Sequence, residues 1–511
     1  MNNSLAELWG KVLADHQSDI AIAVHNKSIT YAELNDRATA IAAAMCRIGV
    51  GTRDLVAIFH TKSFDSYAAM IACLRMGFIY TNLDFNSPSE RLRKIIGVCK
   101  PRLVLLGAEL GEENSRVVES LDLPTLRLQT IEKELNADLG QRGRPTLTWQ
   151  TPAYVMFTSG STGIPKGVTI THGGLLNLID WAQDYFVLNG SDRVANLNPM
   201  FFDNSVFDFY SAIFSGSCLL PVGQELLRKP AKLLEYLQEA QCSVWFSVPS
   251  LIVYMLATKV IRSDSMRDLR VMIFGGEGFP KSELKKLHEI IGSRVRLVNV
   301  YGPTEGTCIC SAHAITDVDF QDMGVLAPLG KINPNFEYAI VDSEGREVAL
   351  GEKGELVLMG PNISLGYYND PERTRQHFIQ RPLETRFNEI GYMTGDIVAE
   401  KDGLLWFSGR SDNQVKHMGY RIELEEIEAA FQHMSGVIQA GVVYHRDNER
   451  YGSIVCFLQV ESFVTEKSLR ANLAGLLPEY MIPNRIIFLE SLPKNANGKV
   501  DRKELLACIG Q

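Results

Sequence analysis

Short apolar runs alternate with longer amphipathic segments through the first part of the sequence. The runs DLVAIF, RLVLL and AYVMFTS have the length of buried strands, whereas TYAELNDRATAIAAAMCRIGV has the apolar periodicity of a helix. The spacing Thr30-x-x-Glu33 in this helical segment, like Ser4-x-x-Glu7 near the start of the chain, is typical of a helix capping box. Because strands that alternate with helices pair in parallel, the pattern predicts α/β layers built on parallel sheets.

The sequence pattern changes at about Gly330. Turn signals become closely spaced in DSEGREVALGEKGELVLMG and KDGLLWFSGR, with short Val- and Leu-rich runs between them, which predicts an antiparallel sheet. After Arg410 a polar stretch, SDNQVKHMGYRIE, leads into a helical pattern, ELEEIEAAFQHM. Since 511 residues exceed the length at which one hydrophobic core stops growing, we predict a large domain at residues 1–409 and a small α+β domain at residues 410–511.

Charge and cysteine usage narrow the class of protein. A net charge of -9 argues against broad binding to nucleic acid or an anionic membrane, because both require an excess of clustered Lys and Arg. Nine scattered cysteines favour reduced thiols over a disulfide framework. The first residues lack a secretion signal, and the most apolar tract, YAAMIACLRMGFIY, is interrupted by Arg75 and is too short to cross about 30 Å of hydrocarbon. We therefore expect a cytoplasmic protein.

The stretch TSGSTGIPKGV at residues 158–168 follows the apolar run YVMF, so its backbone turns at the end of a predicted strand, where open α/β sheets bind ligands. Glycines let main-chain amides converge, the hydroxyl side chains add donors, and Lys166 adds a cation, which together suit a polyphosphate. It is not a Walker loop, because Pro165 stands where that motif requires glycine. On this stretch alone, a Gly- and Ser-rich surface turn is the alternative.

Four further motifs follow in order: YGPTE at 301–305, YMTGD at 392–396, GRSDNQVKHMGYRIELEEIE at 409–428 and NGKVDR at 497–502. With the 158–168 loop, they resemble the adenylate-forming superfamily of acyl-CoA synthetases, luciferases and adenylation domains of nonribosomal peptide synthetases. FFDNSVFD at 201–208 resembles the pocket motif of the amino-acid-adenylating branch. The resemblance implies a large adenylation domain, made of two α/β subdomains and a β-barrel-like subdomain, followed by a small mobile α+β domain.

The resemblance also implies a reaction, in which a carboxylate attacks the α-phosphate of ATP, releases pyrophosphate and leaves an acyl-AMP. The residues that would hold the β- and γ-phosphates, here called the phosphate loop, are Thr158, Ser159, Gly160, Ser161, Thr162, Gly163 and Lys166. Those that would hold the nucleoside are Gly276, Glu277, Asn299, Tyr301, Asp396 and Arg410. Thr304 would touch the α-phosphate and Glu305 would help to hold Mg²⁺, which prefers oxygen ligands. A plain turn at 301–305 and a helix cap at Asp396 are the alternatives.

Lys499, directly after Gly498 in NGKVDR, matches the catalytic lysine of the family, with Lys494 as its nearest rival. Its ammonium would bridge the substrate carboxylate and the α-phosphate as charge builds in the transition state. Asp412 matches the hinge about which the small domain rotates. Lys416 and Gly419 would then face the incoming thiol, although both also suit a surface turn.

The resemblance places Asp203 against the α-ammonium group of an amino acid substrate. Burying an unpaired ammonium costs several kcal/mol, so this carboxylate favours an amino acid over a simple acid, with an Asx turn as the alternative. The remaining pocket positions carry no charge, which predicts a neutral, small to medium side chain, with space left by Gly275 and reduced by Phe207. The full predicted pocket is Asp203, Asn204, Phe207, Ser250, Ile273, Gly275, Val300, Cys308 and Ile309.

SVFDFYSAIFSG and SVPS also resemble D-alanine:D-alanyl carrier protein ligases, although FGGEGFP lacks the cysteine expected before GE. The chain ends nine residues after Arg502 without a carrier segment, so we expect a stand-alone enzyme that loads the phosphopantetheine thiol of a separate carrier protein. Two alternatives remain: an acyl- or aryl-CoA ligase, which Asp203 argues against, and a catalytically idle relative, which Lys499 and Glu305 argue against.

Overall fold

The computed structural model describes residues 2–131, 145–384, 387–446, 452–494 and 500–510, without the side chains of 381–389 and 510. Within these ranges, no helix combines the length and the apolar character that crossing a membrane requires.

A nine-stranded sheet is formed by two strands near the start of the chain and seven strands between residues 193 and 332. Six of its strands are mutually parallel, and strands at both ends run antiparallel to their neighbours. Its strands, in spatial order, are Lys331–Ile332, Ser311–Ala314, Arg296–Tyr301, Val271–Gly275, Val244–Ser247, Arg193–Asn196, Cys218–Pro221, Ile20–Val24 and Lys27–Thr30. The predicted parallel layer is therefore present here.

A six-stranded sheet holds most of the earlier strands. It is parallel except at one edge, where the last two strands form an antiparallel hairpin. In spatial order the strands are Thr125–Arg127, Leu103–Leu106, Leu55–Phe59, Ile79–Leu83, Pro152–Thr158 and Lys166–Thr171. Every residue of Leu55–Phe59 is buried, as expected for a parallel strand covered on both faces.

Helices cover both sheets, and one large apolar cluster lies between the sheets and contains side chains from both. The hydroxyl of Tyr67, on a helix of the six-stranded layer, donates to Asn196 Oδ1 on the nine-stranded sheet at 2.6 Å. The two layers are therefore joined by packing and by buried hydrogen bonds. The helices before residue 300 are Leu5–His16, Tyr31–Ile48, Phe64–Met76, Ser89–Cys99, Glu112–Ser120, His172–Phe186, Gln224–Leu227, Pro230–Glu239, Pro249–Ala257 and Lys281–Ile291, together with the short segments Asn204–Val206 and Ala212–Phe214.

An antiparallel five-stranded sheet follows, as the closely spaced turn signals after Gly330 predict. Its strands are Glu337–Val341, Gly354–Met359, Phe378–Glu384, Phe387–Lys401 and Leu404–Arg410. The helix Pro371–His377 precedes the third of these strands, and Asp370 caps it by accepting from the Arg373 amide at 3.0 Å.

The residues after Arg410 begin with a two-stranded hairpin, Gln414–His417 and Tyr420–Glu423. A three-stranded sheet follows, made of Val437–Arg446, Gly452–Val460 and Arg485–Phe488. The helices of this region are Leu424–Gln432, Glu466–Leu476 and Arg502–Ala507. Its two apolar clusters consist only of residues after Arg410, whereas the exact boundary between residues 409 and 410 stays a prediction.

Candidate active site

The phosphate loop connects the two strands of the hairpin at the edge of the six-stranded sheet, with Thr158 paired to Lys166. A Cβ atom on Gly160 would lie 2.1 Å from the carbonyl oxygen of Ile164, so the loop closes only around a glycine at this position. Gly163 has φ +73°, in the left-handed region that favours glycine. These two glycines are thus required by the backbone of the loop itself.

Two clefts open on either side of the phosphate loop. The inner cleft is lined by Thr158, Ser159, Phe202, Asp203, Asn204, Gly276, Thr304, Lys416, Gly419 and Arg421. The outer cleft has a volume of about 570 Å³ and is lined by Ser161, Thr162, Lys166, Arg373, His377, Gly395, Arg410, Asp412, Arg421 and Glu423. The predicted phosphate-binding residues are therefore divided between two openings.

Asp203 lies half-buried in the inner cleft, where its Oδ2 accepts a hydrogen bond of 2.5 Å from Thr304 Oγ1. Its side chain makes no capping hydrogen bond, so the Asx-turn alternative does not describe this residue. In the same cleft the hydroxyl of Thr158 is buried and has no partner among the described residues. An unpaired hydroxyl and a carboxylate on residues that line one cleft fit a ligand with both acceptor oxygens and a cationic group.

Three of the residues predicted to hold the nucleoside form a connected chain of hydrogen bonds. Tyr301 donates to Asp396 Oδ2 at 2.5 Å, and Arg410 donates to Asp396 Oδ1 at 2.6 Å. Arg410 also makes two hydrogen bonds to the predicted hinge Asp412, at 2.6 and 2.7 Å. Asn299 donates through its amide group to the carbonyl of Pro328 at 2.8 Å. The structure therefore brings Tyr301, Asp396 and Arg410 together, although their roles stay predictions.

Glu305 is fully buried between cations. Its Oε2 accepts from Arg421 at 2.7 Å, and its Oε1 accepts from Tyr367 at 2.9 Å and lies 3.8 Å from Lys166 Nζ. Burial opposes ionisation, but Arg421 and Lys166 outweigh it and hold the pKa of Glu305 well below its usual range. Burial, followed by the charge of Arg421, lowers the pKa of Lys166 to about 8. Both oxygens of the predicted metal ligand are thus engaged by protein groups in this arrangement.

The hairpin 414–423 is seated on the large domain. The Gly419 amide donates to Glu277 Oε2 at 2.9 Å, and Ser159 Oγ donates to the Arg421 carbonyl at 2.7 Å. Gly419 has φ +80°, and a Cβ atom there would lie 2.2 Å from Val248 Cγ1. The predicted nucleoside residue Glu277 therefore holds the hairpin in this arrangement, and its other oxygen accepts from the Ser250 amide at 2.7 Å.

Sequence reasoning missed a second contact between the domains. Arg91 and Glu426, both nearly buried, form an ion pair of 2.5 Å, and the Gly160 amide donates to the other oxygen of Glu426 at 3.2 Å. Glu426 lies in a quoted motif, so its position was available from the resemblance. Arg91 carries no motif, and 335 residues separate the pair.

Most of the predicted substrate pocket is closed. Phe207, Ile273, Val300, Cys308 and Ile309 are buried, whereas Asp203 and Asn204 line the inner cleft. The expectation that Gly275 leaves space is wrong, because a Cβ atom there would lie 2.4 Å from the Val300 carbonyl oxygen. This glycine is required by the close approach of two neighbouring strands.

The pocket motif rests on a buried polar network that the sequence did not reveal. Residues Phe207–Ser211 form a π-helical turn, a feature that often marks functional sites. Asp208 in this turn is fully buried and accepts from Asn196 Nδ2 at 3.0 Å. Lys62 lies nearby, with its Nζ donating to the carbonyls of Asn196, at 2.7 Å, and Val222, at 2.9 Å. The network fixes the end of the motif, at Asp208, relative to the strand that ends at Asn196.

Lys499, the predicted catalytic residue, lies outside the described residues. Its neighbour Val500 pairs with Lys494 in an isolated bridge and packs against the smaller apolar cluster of the small domain. The small domain presents Tyr480 and the hairpin 414–423 to the inner cleft, and the hairpin contains the other predicted transfer residues, Lys416 and Gly419.

Comparison with known proteins gives consistent matches along the chain. The family model of the AMP-binding enzyme matches residues 11–368, and that of the AMP-binding enzyme C-terminal domain matches residues 426–499. An L-proline--[L-prolyl-carrier protein] ligase of Pseudomonas fluorescens is 33% identical over 502 residues, with 96% of each chain covered. A D-alanine--D-alanyl carrier protein ligase of Bacillus cytotoxicus is 30% identical over 509 residues, with 98% of each chain covered.

Solved structures agree in fold. The Vibrio cholerae adenylation domain AlmE, in complex with glycyl-adenosine-5'-phosphate, matches with a TM-score of 0.84 and 25% identity, over 100% of this chain and 98% of that chain. The two-domain architecture described above is thus shared along its full length with an adenylation domain.

Proposed function

Because the chain belongs to the AMP-binding enzyme family, we propose that it activates a neutral, small to medium amino acid with ATP and passes the aminoacyl group to a carrier protein. The first step forms a bond between a carboxylate oxygen and the α-phosphorus and breaks the bond to pyrophosphate. In the second step a phosphopantetheine thiol attacks the carbonyl carbon, and AMP leaves. The relatives named as L-prolyl- and D-alanyl-carrier protein ligases support both steps.

The position of Asp203 carries the proposal for an amino acid. Asp203 lines the inner cleft, where its carboxylate contacts Thr304 and where Thr158, whose hydroxyl is unpaired among the described residues, also lies. An α-ammonium bound there would be paired with a charge, while the neighbouring hydroxyls accommodate oxygens of the carboxylate or α-phosphate. A simple acyl or aryl acid would leave Asp203 facing an apolar group.

The side chain of the substrate is proposed to be neutral and small to medium in size. No charged group lies among Phe207, Ile273, Val300, Cys308 and Ile309, and all five are buried. A charged substrate side chain would lack a partner against these residues, and a large one would have to displace them. The adenylation domain AlmE was crystallised in complex with glycyl-adenosine-5'-phosphate, the adenylate of a small amino acid.

The nucleotide would be held by the phosphate loop and by Tyr301, Asp396 and Arg410. Lys166 offers a buried cation, and Asp396 offers two carboxylate oxygens to ribose hydroxyls when Tyr301 and Arg410 release them. Mg²⁺ would neutralise phosphate charge, and Glu305 would hold it once Arg421 withdraws from that carboxylate. We keep Lys499 as the proposed group that steadies the transition state of adenylation.

The seated hairpin supports the assignment of Lys416 and Gly419 to the transfer step. In this arrangement Gly419 contacts Val248 and Glu277 at the edge of the inner cleft, and Lys416 lines the cleft beside Asp203. Asp412, between the strand ending at Arg410 and the hairpin, is proposed as the pivot that exchanges this face for the one bearing Lys499.

The decisive experiment is exchange of labelled pyrophosphate into ATP with each common L- and D-amino acid and with simple carboxylic acids. We expect exchange with one or a few neutral amino acids and none with simple acids. Exchange that depends on an acyl or aryl acid, followed by thioester formation on free CoA, would instead identify a CoA ligase. A complete lack of exchange would contradict adenylation itself.

A further inference from the structure

The outer cleft has a cationic wall that the predicted nucleotide-binding residues only partly explain. Lys166, Arg373 and Arg421 line it, together with His377. Arg373 and His377 come from the helix Pro371–His377, which contains none of the motifs identified in the sequence. The predicted adenylation residues therefore give no role to Arg373, although it lines this wall.

The guanidinium of Arg373 lies directly over the phosphate loop. Its Nη2 donates to Thr162 Oγ1 at 3.1 Å, and its Nη1 lies 3.4 Å from the position that a Cβ atom on Gly160 would occupy. The side chain is largely buried, with 16% of its surface exposed. The N–H donors of the Arg373 guanidinium are thus held against the phosphate loop, which is predicted to bind the β- and γ-phosphates that leave as pyrophosphate.

Arg373 is also the least neutralised of the three cations. Lys166 lies between Glu305 and Glu423, and Arg421 has a 2.7 Å contact with Glu305. The ion-pair contact of Arg373, with the partly exposed Asp370, is longer, at 3.5 Å. A long pair with an exposed carboxylate stabilises little, so the guanidinium retains most of its attraction for an anion.

The small domain blocks the other side of the loop in this arrangement. Ser159 Oγ donates to the Arg421 carbonyl, and the Gly160 amide donates to Glu426. Ser161 and Thr162 line the outer cleft instead. A phosphate anion that leaves the loop therefore enters the outer cleft, where it can contact the hydroxyls of Ser161 and Thr162 and the guanidinium of Arg373.

We propose that Arg373 and Thr162 form a binding site for departing pyrophosphate in the outer cleft, between the phosphate loop and the helix Pro371–His377. The inference rests on the proposed function, because pyrophosphate is the product of adenylation. The site makes and breaks no bond, and it takes the anion after its bond to the α-phosphorus has been cleaved. Arginine suits this task because its fork of N–H donors matches two phosphate oxygens at once.

The electrostatics of the neighbouring histidine agree with an anion site. Burial lowers the pKa of His377, and the charges of Lys166, Arg421 and Arg373 lower it further, against the opposing effect of Glu305. Six acids also line the cleft. Asp412 pairs with Arg410 and Glu425 with Arg502, and Glu423 lies 3.5 Å from Lys166. The other three are Asp370, the long partner of Arg373, and Glu355 and Glu372, for which the described residues show no ion pair. Their presence weakens binding of an anion, which suits a product that must leave.

The test is an Arg373→Ala variant, with Arg375→Ala as its matched control. Arg375 lies on the same helix and is exposed, so its removal changes the net charge equally without changing the wall of the cleft. Equilibrium titration with pyrophosphate alone, in the absence of ATP and amino acid, should show about tenfold weaker binding for Arg373→Ala and a near wild-type value for Arg375→Ala. In the exchange reaction the KM for pyrophosphate should rise by a similar factor, while the KM for the amino acid stays the same.

An Arg373→Lys variant retains the charge but not the fork, and should recover part of the affinity. Wild-type pyrophosphate affinity in Arg373→Ala, or an equal loss in Arg375→Ala, would overturn the inference. The proposed function is decided separately, by whether the wild-type enzyme exchanges pyrophosphate with any amino acid. The titration with pyrophosphate alone needs no adenylation and decides the site in either case.

Discussion

The carboxylate of Asp203 has one hydrogen bond from the protein, donated by Thr304, and otherwise faces the inner cleft. Replacing it by alanine should remove the charge that pairs with an α-ammonium while leaving the phosphate loop and the residues around Asp396 intact. Loss of a hydrogen bond to a charged group costs about 1.5 to 3 kcal/mol, so the KM for the amino acid should rise by about 10- to 100-fold. Pyrophosphate exchange at varied amino acid concentration measures this.

Binding of ATP to Asp203→Ala serves as the internal control, because the nucleotide makes no proposed contact with that carboxylate. Wild-type activation of the same amino acid by Asp203→Ala would refute the substrate assignment. An Asp203→Asn variant, which keeps the shape and loses the charge, should be nearly as impaired as the alanine variant.

The lowered pKa of Lys166 predicts a pH dependence for nucleotide binding. Its pKa is about 8, because burial and then Arg421 disfavour the charged form. The ammonium is present below this pH and is lost as the pH rises through it, so affinity for ATP should fall from about pH 8 upward, by at most about tenfold per pH unit. Bound phosphate will raise this pKa, and binding above pH 8 should therefore take up a proton.

A Lys166→Arg variant provides the comparison, because arginine stays protonated throughout the accessible range. ATP titrations between about pH 6.5 and about pH 9.5 should then show a slope for the wild-type protein and a flat profile for the variant. Parallel profiles for the two proteins would assign the titration to another group.

At the scale of elements, the hairpin 414–423 depends on a glycine at its tip. Gly419→Ala adds strain at φ +80° and places a methyl group within 2.2 Å of Val248 Cγ1. Overpacking of this kind costs about 1 to 3 kcal/mol, and it arises only when the hairpin is seated on the large domain. We expect aminoacyl transfer to the thiol to slow by about tenfold or more, with little change in pyrophosphate exchange.

Gly403→Ala is the matched control for the hairpin. Gly403 has φ +73°, and a Cβ atom there would meet nothing within 4 Å, so the substitution shares the backbone strain but not the collision. Equal transfer rates in the two variants would show that seating of the hairpin does not govern this step.

Local signals in the sequence predicted elements well. The capping box at Thr30 and Glu33 forms as expected, with both reciprocal hydrogen bonds. At the first helix Ser4 accepts from the Glu7 amide, but the Glu7 side chain accepts from the Asn3 amide rather than from that of Ser4. Such contacts span three or four residues, so the spacing of residue types is enough to predict them.

Long-range contacts left no such signal. The strand Ile20–Val24 pairs with Cys218–Pro221, about 200 residues away, and the sequence contains nothing that sets this order. No motif in the sequence marks Lys62, whose amine donates to the carbonyls of Asn196 and Val222. The site residues predicted by family motifs were within reach, whereas Arg91, Lys62 and Arg373 required the tertiary structure.

At the scale of the whole molecule, the small domain and a nucleotide compete for one set of donors. Three groups proposed to bind phosphates already have partners in the small domain: Ser159 contacts the Arg421 carbonyl, the Gly160 amide contacts Glu426, and Lys166 lies 3.5 Å from Glu423. Two carboxylates thus lie where phosphate oxygens are expected. Seating of the hairpin should therefore exclude the triphosphate and become favourable once pyrophosphate has moved from Ser159 and Gly160 into the outer cleft.

This competition predicts opposite effects on the two half-reactions when the Arg91–Glu426 pair is weakened. Glu426→Gln removes a charge from a 2.5 Å pair that is nearly buried at the contact between the domains. Because Arg91 regains water when the domains separate, the loss should appear as a shift in domain arrangement rather than as unfolding. We expect the substitution to destabilise the seated arrangement by about 1 kcal/mol relative to the separated one. ATP should then bind a few-fold more tightly, and thiol transfer should slow by a similar factor.

The appropriate control is Glu466→Gln, which weakens a half-exposed pair with Arg470 inside the small domain and should change neither quantity. ATP titration and a single-turnover transfer assay on the same preparations measure both effects. If ATP affinity in Glu426→Gln were unchanged or weaker, the carboxylate could not be competing with phosphate for the loop. Opposite changes in the two assays are what distinguish this mechanism from simple damage to the site, since damage would impair both half-reactions together.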